Sequence, residues 1–533
     1  MSKDTFLKGA FILTVAGIIV KIIGSVNRIL LSRLLGGEGI GLYQMAYPIY
    51  LLALSVSSAG IPVAISIIVA EKIALSDYRG ANRVFRISLG VLAATGLLFT
   101  FLLYFGAGWL IDHHFVRDPR AYYAIAALAP AIFFVTVLSS YRGYFQGLQM
   151  MTPTAVSQIF EQLLRVITMI AFAYILLPHG LEFAAAGASF GAGPGAAAGL
   201  LVLLYFYWKH KPGFKHQMET QPQIIQETSV SIISRIVKLA LPVSLANIML
   251  PVVASIDLLI VPARLEVAGY SVEQATELFG YLTGMAVPLV NLATILTASL
   301  AASLVPAVSE AFTLGNKQLI YQRTATAMRI SNMITIPSFI GMGLLATPIS
   351  LMLYGTPNAG TSIAILSIGI FLLGVHQVTT GVLQGLGHTA IPVINMALSA
   401  VVKVIMSWLL TAMPALGIMG AAWATVADFG VAALLNMFFV YRYTGFSLDI
   451  KDTVKAIAAS AVMGAVVLLA YDALMSYTLR NTVATIGAIA AGGTVFGTVF
   501  LLVGGVQARD IEQLPRIGEQ LAALLIKLRL LRR

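Results

Sequence analysis

The chain contains no cysteine. That absence excludes disulfides, cysteine-ligated zinc, iron–sulfur clusters and thiol catalysis. Charge is scarce as well: 33 Lys+Arg and 22 Asp+Glu amount to 10% of 533 residues, against about 25% in a soluble globular protein. Water-soluble folds of this size are thereby excluded, and disordered or fibrous chains with them. No HExxH, no GxSxG and no Gly-Lys-Ser/Thr loop occurs, and the seven histidines are scattered. His113-His114 has no further ligand nearby in sequence, so no metal site, nucleotide loop or nucleophile with its base is expected. What the chain does have is apolar residues, 59% of the total and spread along its whole length. It reads as an all-α polytopic membrane protein.

Crossing a bilayer as a helix takes roughly 17–25 mostly apolar residues. That window predicts fourteen spans: 8–32, 42–70, 87–109, 121–145, 152–177, 183–208, 236–262, 279–308, 328–353, 361–384, 390–411, 416–441, 454–474 and 483–506. The N-terminus has a basic start but no small-residue cleavage site, and its apolar run continues through Leu31; it reads as the first membrane helix, not as a signal peptide. With that end inside, the inner segments hold 24 cations and the outer loops five. The asymmetry predicts N-in, C-in orientation in a bacterial cytoplasmic membrane. Most of the +11 net charge then marks sidedness, which removes nucleic acid as a partner.

The chain also resembles itself at an offset near 239 residues. Gln146-Gly147-Leu148 lines up with Gln384-Gly385-Leu386, Pro48 with Pro288, and Glu71 with Glu310. Six spans per half predict parallel repeats with a substrate site between them. The expected organisation is an N-lobe at 1–208, a solvated cytoplasmic linker at 209–235 and a C-lobe at 236–441. Two extra helices occupy 442–506, and an amphipathic tail 507–533, where Ile511, Leu514, Ile517, Leu521, Leu524, Leu528 and Leu531 recur at helical spacing.

Charges inside spans are functional candidates, because hydrocarbon cannot solvate them. In span 1, Thr14, Gly17, Lys21, Gly24, Arg28 and Ser32 share one helical face, with Asn27 beside it and no acid in the span to neutralise the cations. Such a face calls for a watery cavity and an anionic ligand, and diphosphate suits an Arg fork beside a Lys point charge. Snorkelling to the interface is the bland alternative. In span 7, Asp257 and Arg264 lie seven residues apart; Asp257 either binds a coupling cation or holds a cation of the other half. Glu161 and Arg165 form an i,i+4 pair, and Lys403 and Asp428 are candidates for an interhelical pair. The GxxxG steps Gly187, Gly191, Gly195 and Gly199 predict close helix packing.

The opening FLKGAFILTVAGIIVKIIGSVNRILLSRLLGGEGIGLYQMAYP, GIPVAISIIVAE (60–71), YRGYFQGLQMMTP (141–153) and QIFEQLLRV (158–166) resemble the stage V sporulation protein B and MurJ-like lipid II flippase family. That family lies in the multidrug/oligosaccharidyl-lipid/polysaccharide exporter superfamily. The resemblance implies two six-helix lobes in a V around a cationic cavity. It also implies two extra helices bordering a groove for a polyprenyl tail. Lys21 matches a first-helix arginine of the family, Arg28 falls one position from a second, and Arg264 lies in the region of a cavity arginine. The family's helix-2 arginine is missing from 48–62, which separates this chain from the lipid II pattern. The expected function is a flippase, not an enzyme, for a polyprenyl-diphosphate-linked oligosaccharide or muropeptide, working as a monomer among membrane lipids. It needs no cofactor, with the membrane potential, Na+ or H+ as driver. The alternatives are a cation-coupled multidrug exporter, which should show an unpaired carboxylate in span 1, and a membrane glycosyltransferase or polymerase, which needs larger outer loops.

Overall fold

The computed structural model describes residues 3–58, 60–221, 227–447 and 450–505; the amphipathic tail expected at 507–533 lies outside them. Two compact units divide at Gly280. Unit 1 contains α1 (Lys3–Ser58), α2 (Ile61–Ala74), α3 (Tyr78–Asp112), α4 (Ala121–Gly147), α5 (Met151–Leu176), α6 (Leu181–Phe190), α7 (Ala192–Thr220), α8 (Ser229–Val267) and α9 (Val272–Phe279). A π-helical turn, Gly280–Ala286, follows. Unit 2 contains α10 (Val287–Ala293), α11 (Ile295–Thr313), α12 (Lys317–Leu344), α13 (Ala346–Tyr354), α14 (Gly360–Gly385), α15 (Ala390–Leu410), α16 (Ile418–Thr444), α17 (Ile450–Thr478) and α18 (Asn481–Leu502). Every described element is helical, as a bilayer demands of a chain that must satisfy its own backbone.

Among the described residues, twelve helices are long and apolar enough to span a membrane, or thirteen if α12 and α13, bent by 81°, make one span. The expected count of fourteen is not confirmed. One difference is in how the start is counted: 8–32 and the first part of 42–70 run together as α1 across a non-helical bend at Gly36 with φ 68°, and the rest of 42–70 is α2. That φ is open to glycine and strained for other residues. The expected span 279–308 is also cut, by the π turn and by a break at Thr294 between α10 and α11.

The segment expected to be a solvated linker is largely helix. α7 continues to Thr220 and α8 begins at Ser229. At 1.5 Å per residue the 29 residues of α7 reach about 43 Å, beyond the ~30 Å hydrocarbon core. Its last turns are polar because they stand in water, and polarity alone gave them the look of a linker. Residues 236–280, expected in the second lobe, pack with unit 1, α8 lying against α1, α2 and α3.

The internal repeat is visible in the packing of each unit. In unit 1, a Cβ on Gly143 would lie 2.6 Å from the Pro62 carbonyl oxygen, and one on Gly147 would lie 2.7 Å from Val69 Cβ. In unit 2, a Cβ on Gly381 would lie 2.6 Å from the Ala301 carbonyl oxygen, and one on Gly385 would lie 2.7 Å from Val308 Cβ. The helix ends match too: Asp77 accepts from Gly80 N, and Asn316 from Leu319 N. The same small residues let the same helix pairs touch in both units.

Candidate functional site

The charged face of α1 sits in unit 1, where α1 packs on α5. Lys21 is exposed and has no ion-pair partner among the described residues. One turn pair later, Arg28 Nη1 donates to Gln44 Oε1 at 2.9 Å, and its guanidinium lies 5.5 Å from the Tyr47 ring centroid. Tyr47 stacks on Tyr43 at 5.6 Å, so the cation rests on an aromatic wall. A guanidinium carries five N–H donors, and most of these stay available for an oxyanion. Asn27 behaves differently. It is 6% exposed, its amide donates to Met169 Sδ at 3.4 Å, and its Oδ1 is buried without a partner. It belongs to the α1–α5 contact.

Behind this face lies a charge group read only in part from the sequence. Arg165 Nη2 donates to Glu161 Oε1 at 2.9 Å, the expected pair. The same carboxylate also accepts from Arg142 Nη2 at 2.8 Å, while Arg142 Nε donates to Ser157 Oγ at 3.1 Å. Arg142 had been counted among the inner-segment cations; it sits inside α4. Unit 1 therefore carries an Arg142–Glu161–Arg165 cluster on α4 and α5, besides Lys21 and Arg28 on α1. The GxxxG stripe makes this possible. Cβ atoms at Gly187, Gly191, Gly195 and Gly199 would fall 2.7, 2.4, 2.7 and 2.7 Å from atoms of Phe172, Met169, Arg165 and Leu138. Glycine alone lets this stretch lie so close against α5 and, at Gly199, against Leu138 of α4.

On α8, Asp257 and Arg264 are both half-buried, and each has an interaction partner. In unit 2, Lys403 and Asp428 are 4% and 7% exposed, and Asp428 accepts from Ser399 Oγ at 2.6 Å. Asn395, Asn436 and Thr380 form a hydrogen-bonded chain nearby. Sequence reading singled out none of these three, because amides and hydroxyls cost too little in a hydropathy window to stand out.

Just past the Gly36 bend, α1 takes part in a polar lock. Asp118, 1% exposed, accepts from Arg120 and from Thr276 Oγ1, and Arg120 reaches Glu38 at 2.6 Å. The hydrogen bond to Asp118 pushes the Arg120 pKa further above its usual range, so the guanidinium stays charged at any physiological pH. Beside it, a Cβ on Gly41 would fall 2.0 Å from the Thr276 carbonyl oxygen. Gly41→Ala is expected to lower the thermal midpoint of the detergent-solubilised protein by the equivalent of about 1–3 kcal/mol. An unchanged midpoint would show that α9 can withdraw from α1 without cost.

The family described as Polysaccharide biosynthesis protein matches residues 6–312. Stage V sporulation protein B of Bacillus subtilis (strain 168) is 31% identical over 97% of this chain and 99% of that protein. Lipid II flippase MurJ of the same organism is 28% identical over 93% of this chain and 94% of its own length. Among solved structures, a lipid II flippase MurJ in an inward closed conformation superposes with a TM-score of 0.69 at 16% identity. It covers 94% of this chain and all of that one.

Proposed function

The chain belongs to the polysaccharide biosynthesis protein family, as a MurJ-like member of the multidrug/oligosaccharidyl-lipid/polysaccharide exporter superfamily, and from that premise we propose its cargo and direction. It is a multi-pass bacterial membrane protein of the flippase or transporter type, not an enzyme. The proposed cargo is a polyprenyl-diphosphate-linked oligosaccharide or muropeptide, moved from the inner to the outer leaflet by alternating access. The observation that carries this reading is the pair of cations on α1: Lys21, exposed and without an ion-pair partner among the described residues, and Arg28, held by Gln44 and the Tyr47 ring and not by a carboxylate. A diphosphate would take Lys21 and the free donors of Arg28, while Glu161 holds the two deeper arginines. Arg264 is proposed as a further contact to the anion, and Asp257 as the candidate for Na+ or H+ coupling. An ion is not required, since an inside-negative potential favours outward movement of an anion by about 2.3 kcal/mol per charge per 100 mV.

For the tail, the proposal looks to unit 2. A cavity of about 440 Å³ is lined by Met333, Pro337, Gly341, Met463, Val467 and Phe496, from α12, α17 and α18. It lies at the two extra helices, where a polyprenyl groove was expected. A Cβ on Gly341 would meet only Met463 Cε, at 3.7 Å, so the site accepts a larger residue without disturbing the helices. Gly341→Phe is expected to slow transport of a long-chain polyprenyl substrate about tenfold and to leave a short-chain analogue unaffected. Equal slowing of both would take the tail out of this cavity.

The direct test is reconstitution into liposomes containing a labelled polyprenyl-diphosphate glycolipid, with protein-dependent movement between leaflets as the readout. The expected result is flipping that accelerates with an imposed potential. Transport of organic cations instead would favour the multidrug reading, and appearance of an elongated glycan the polymerase reading.

A further inference from the structure

Unit 1 contains a second basic site that the flipping reading does not use. Where α7 overhangs the bilayer, a cavity of about 880 Å³ opens between α7 and the ends of α2, α3 and α4. Its wall is aromatic. Tyr78 meets Phe214 edge-on at 5.7 Å, Tyr144 meets Phe214 at 6.1 Å, and Tyr207 closes on Tyr144 at 6.2 Å. These rings hold the overhang down on α3 and α4. Its rim is cationic: Arg86 from α3 and Lys209, Lys211 and Lys215 from α7 all line it.

The acids nearby are committed elsewhere. Asp77 caps Gly80 N and pairs with Lys72 at 3.3 Å, and Glu219 lies 3.7 Å from Lys215. Among the described residues no carboxylate lies within ion-pair distance of Arg86, Lys209 or Lys211. No carboxylate lines the cavity at all. Three uncompensated cations around a concave aromatic floor repel one another unless an anion joins them. The place also matters. The charge count puts this end of unit 1 on the inner face, at the depth of lipid headgroups, where the leaflet is anionic and attracts Lys and Arg near its surface. Basic pockets between membrane helices on that side are suited to phosphate headgroups.

We propose that the pocket between α7 and α3–α4 binds a phosphate-bearing anion, the headgroup of an acidic membrane lipid or a soluble phosphate compound. Arg86, Lys209 and Lys211 are its ligands. It is separate from the Lys21–Arg28 site. Occupancy would pin the end of α7 to α3 and α4.

The test uses the full chain in nanodiscs, wild type and Arg86→Ala/Lys209→Ala/Lys211→Ala. A control, Lys238→Ala/Lys317→Ala/Arg442→Ala, removes the same charge from other inner segments. One arm supplies diphosphatidylglycerol in a neutral lipid background and counts lipids retained by native mass spectrometry. The other uses neutral lipid only and titrates inorganic phosphate and a nucleoside diphosphate. The proposal expects one arm to show saturable binding that falls at least about tenfold in the pocket variant and is kept in the control. Loss confined to the first arm assigns the lipid headgroup, and loss confined to the second assigns the soluble phosphate. Lys209→Arg/Lys211→Arg should retain binding, which separates lost charge from a damaged helix. No saturable binding in either arm, or equal loss in pocket variant and control, would overturn it.

Discussion

Replacing Lys21 and Arg28 together with alanine is expected to slow glycolipid flipping about a hundredfold, since a hydrogen bond to a charged group contributes about 1.5–3 kcal/mol and each ~1.4 kcal/mol is tenfold. The lower end of that range applies, because Lys21 is exposed and water screens it. The expectation rests on what the two residues lack. Neither has a carboxylate partner among the described residues; Arg28 is held by Gln44 and the Tyr47 ring, which orient it without neutralising it. Removing them should therefore cost the fold little and the substrate much. Lys21→Arg should keep most of the activity, and Lys238→Ala/Lys317→Ala should keep all of it. The rate would be read from leaflet-selective quenching of a labelled substrate in proteoliposomes. Wild-type flipping by the double variant would remove the anion site from this face of α1.

The spans were largely legible because a bilayer punishes each uncovered backbone group, so membrane helices must announce themselves as long apolar runs. Where the structure departs, the hydropathy window saw only part of the cause. The bend at Gly36 falls in the polar gap between 8–32 and 42–70, beside Arg33 and Glu38, and was legible; Thr294, which breaks α10 from α11 within an apolar stretch, was not. The overhang of α7 misled in the other direction, since a helix in water carries the composition of a linker. The Gly143/Gly381 and Gly147/Gly385 contacts confirm a repeat whose sequence trace had worn down to a few identities.

The site was legible on one helix and not between helices. Helical periodicity gathered Lys21 and Arg28, and i,i+4 spacing found Glu161 with Arg165. Arg142 escaped because it lies near a span end, where a sidedness count absorbs every cation without asking what it faces. No spacing rule links it to Glu161, nineteen positions away on another helix. The signal available was Ser157 and Glu161 at i,i+4 on the facing helix, a polar pair too short to read without the fold.

That carboxylate supports the second large prediction. Glu161→Gln leaves Arg142 and Arg165, each 18% exposed, without a counter-charge. Removing one partner from a buried ion pair destabilises by about 3–5 kcal/mol, whereas removing the set together can be neutral. The expected result is a large fall in the thermal midpoint and in membrane yield for Glu161→Gln. Arg165→Gln alone should cost less, because Glu161 keeps Arg142. The triple variant Arg142→Gln/Glu161→Gln/Arg165→Gln should recover much of the midpoint, and the shortfall from additivity measures the coupling. Function should separate from stability in the same series. If the arginines serve only to hold α4 on α5, the triple variant flips substrate at a rate that follows its recovered stability. If they add to the positive field that Lys21 and Arg28 present, it folds and still flips slowly, because a neutral cluster can hold helices together but cannot attract a diphosphate.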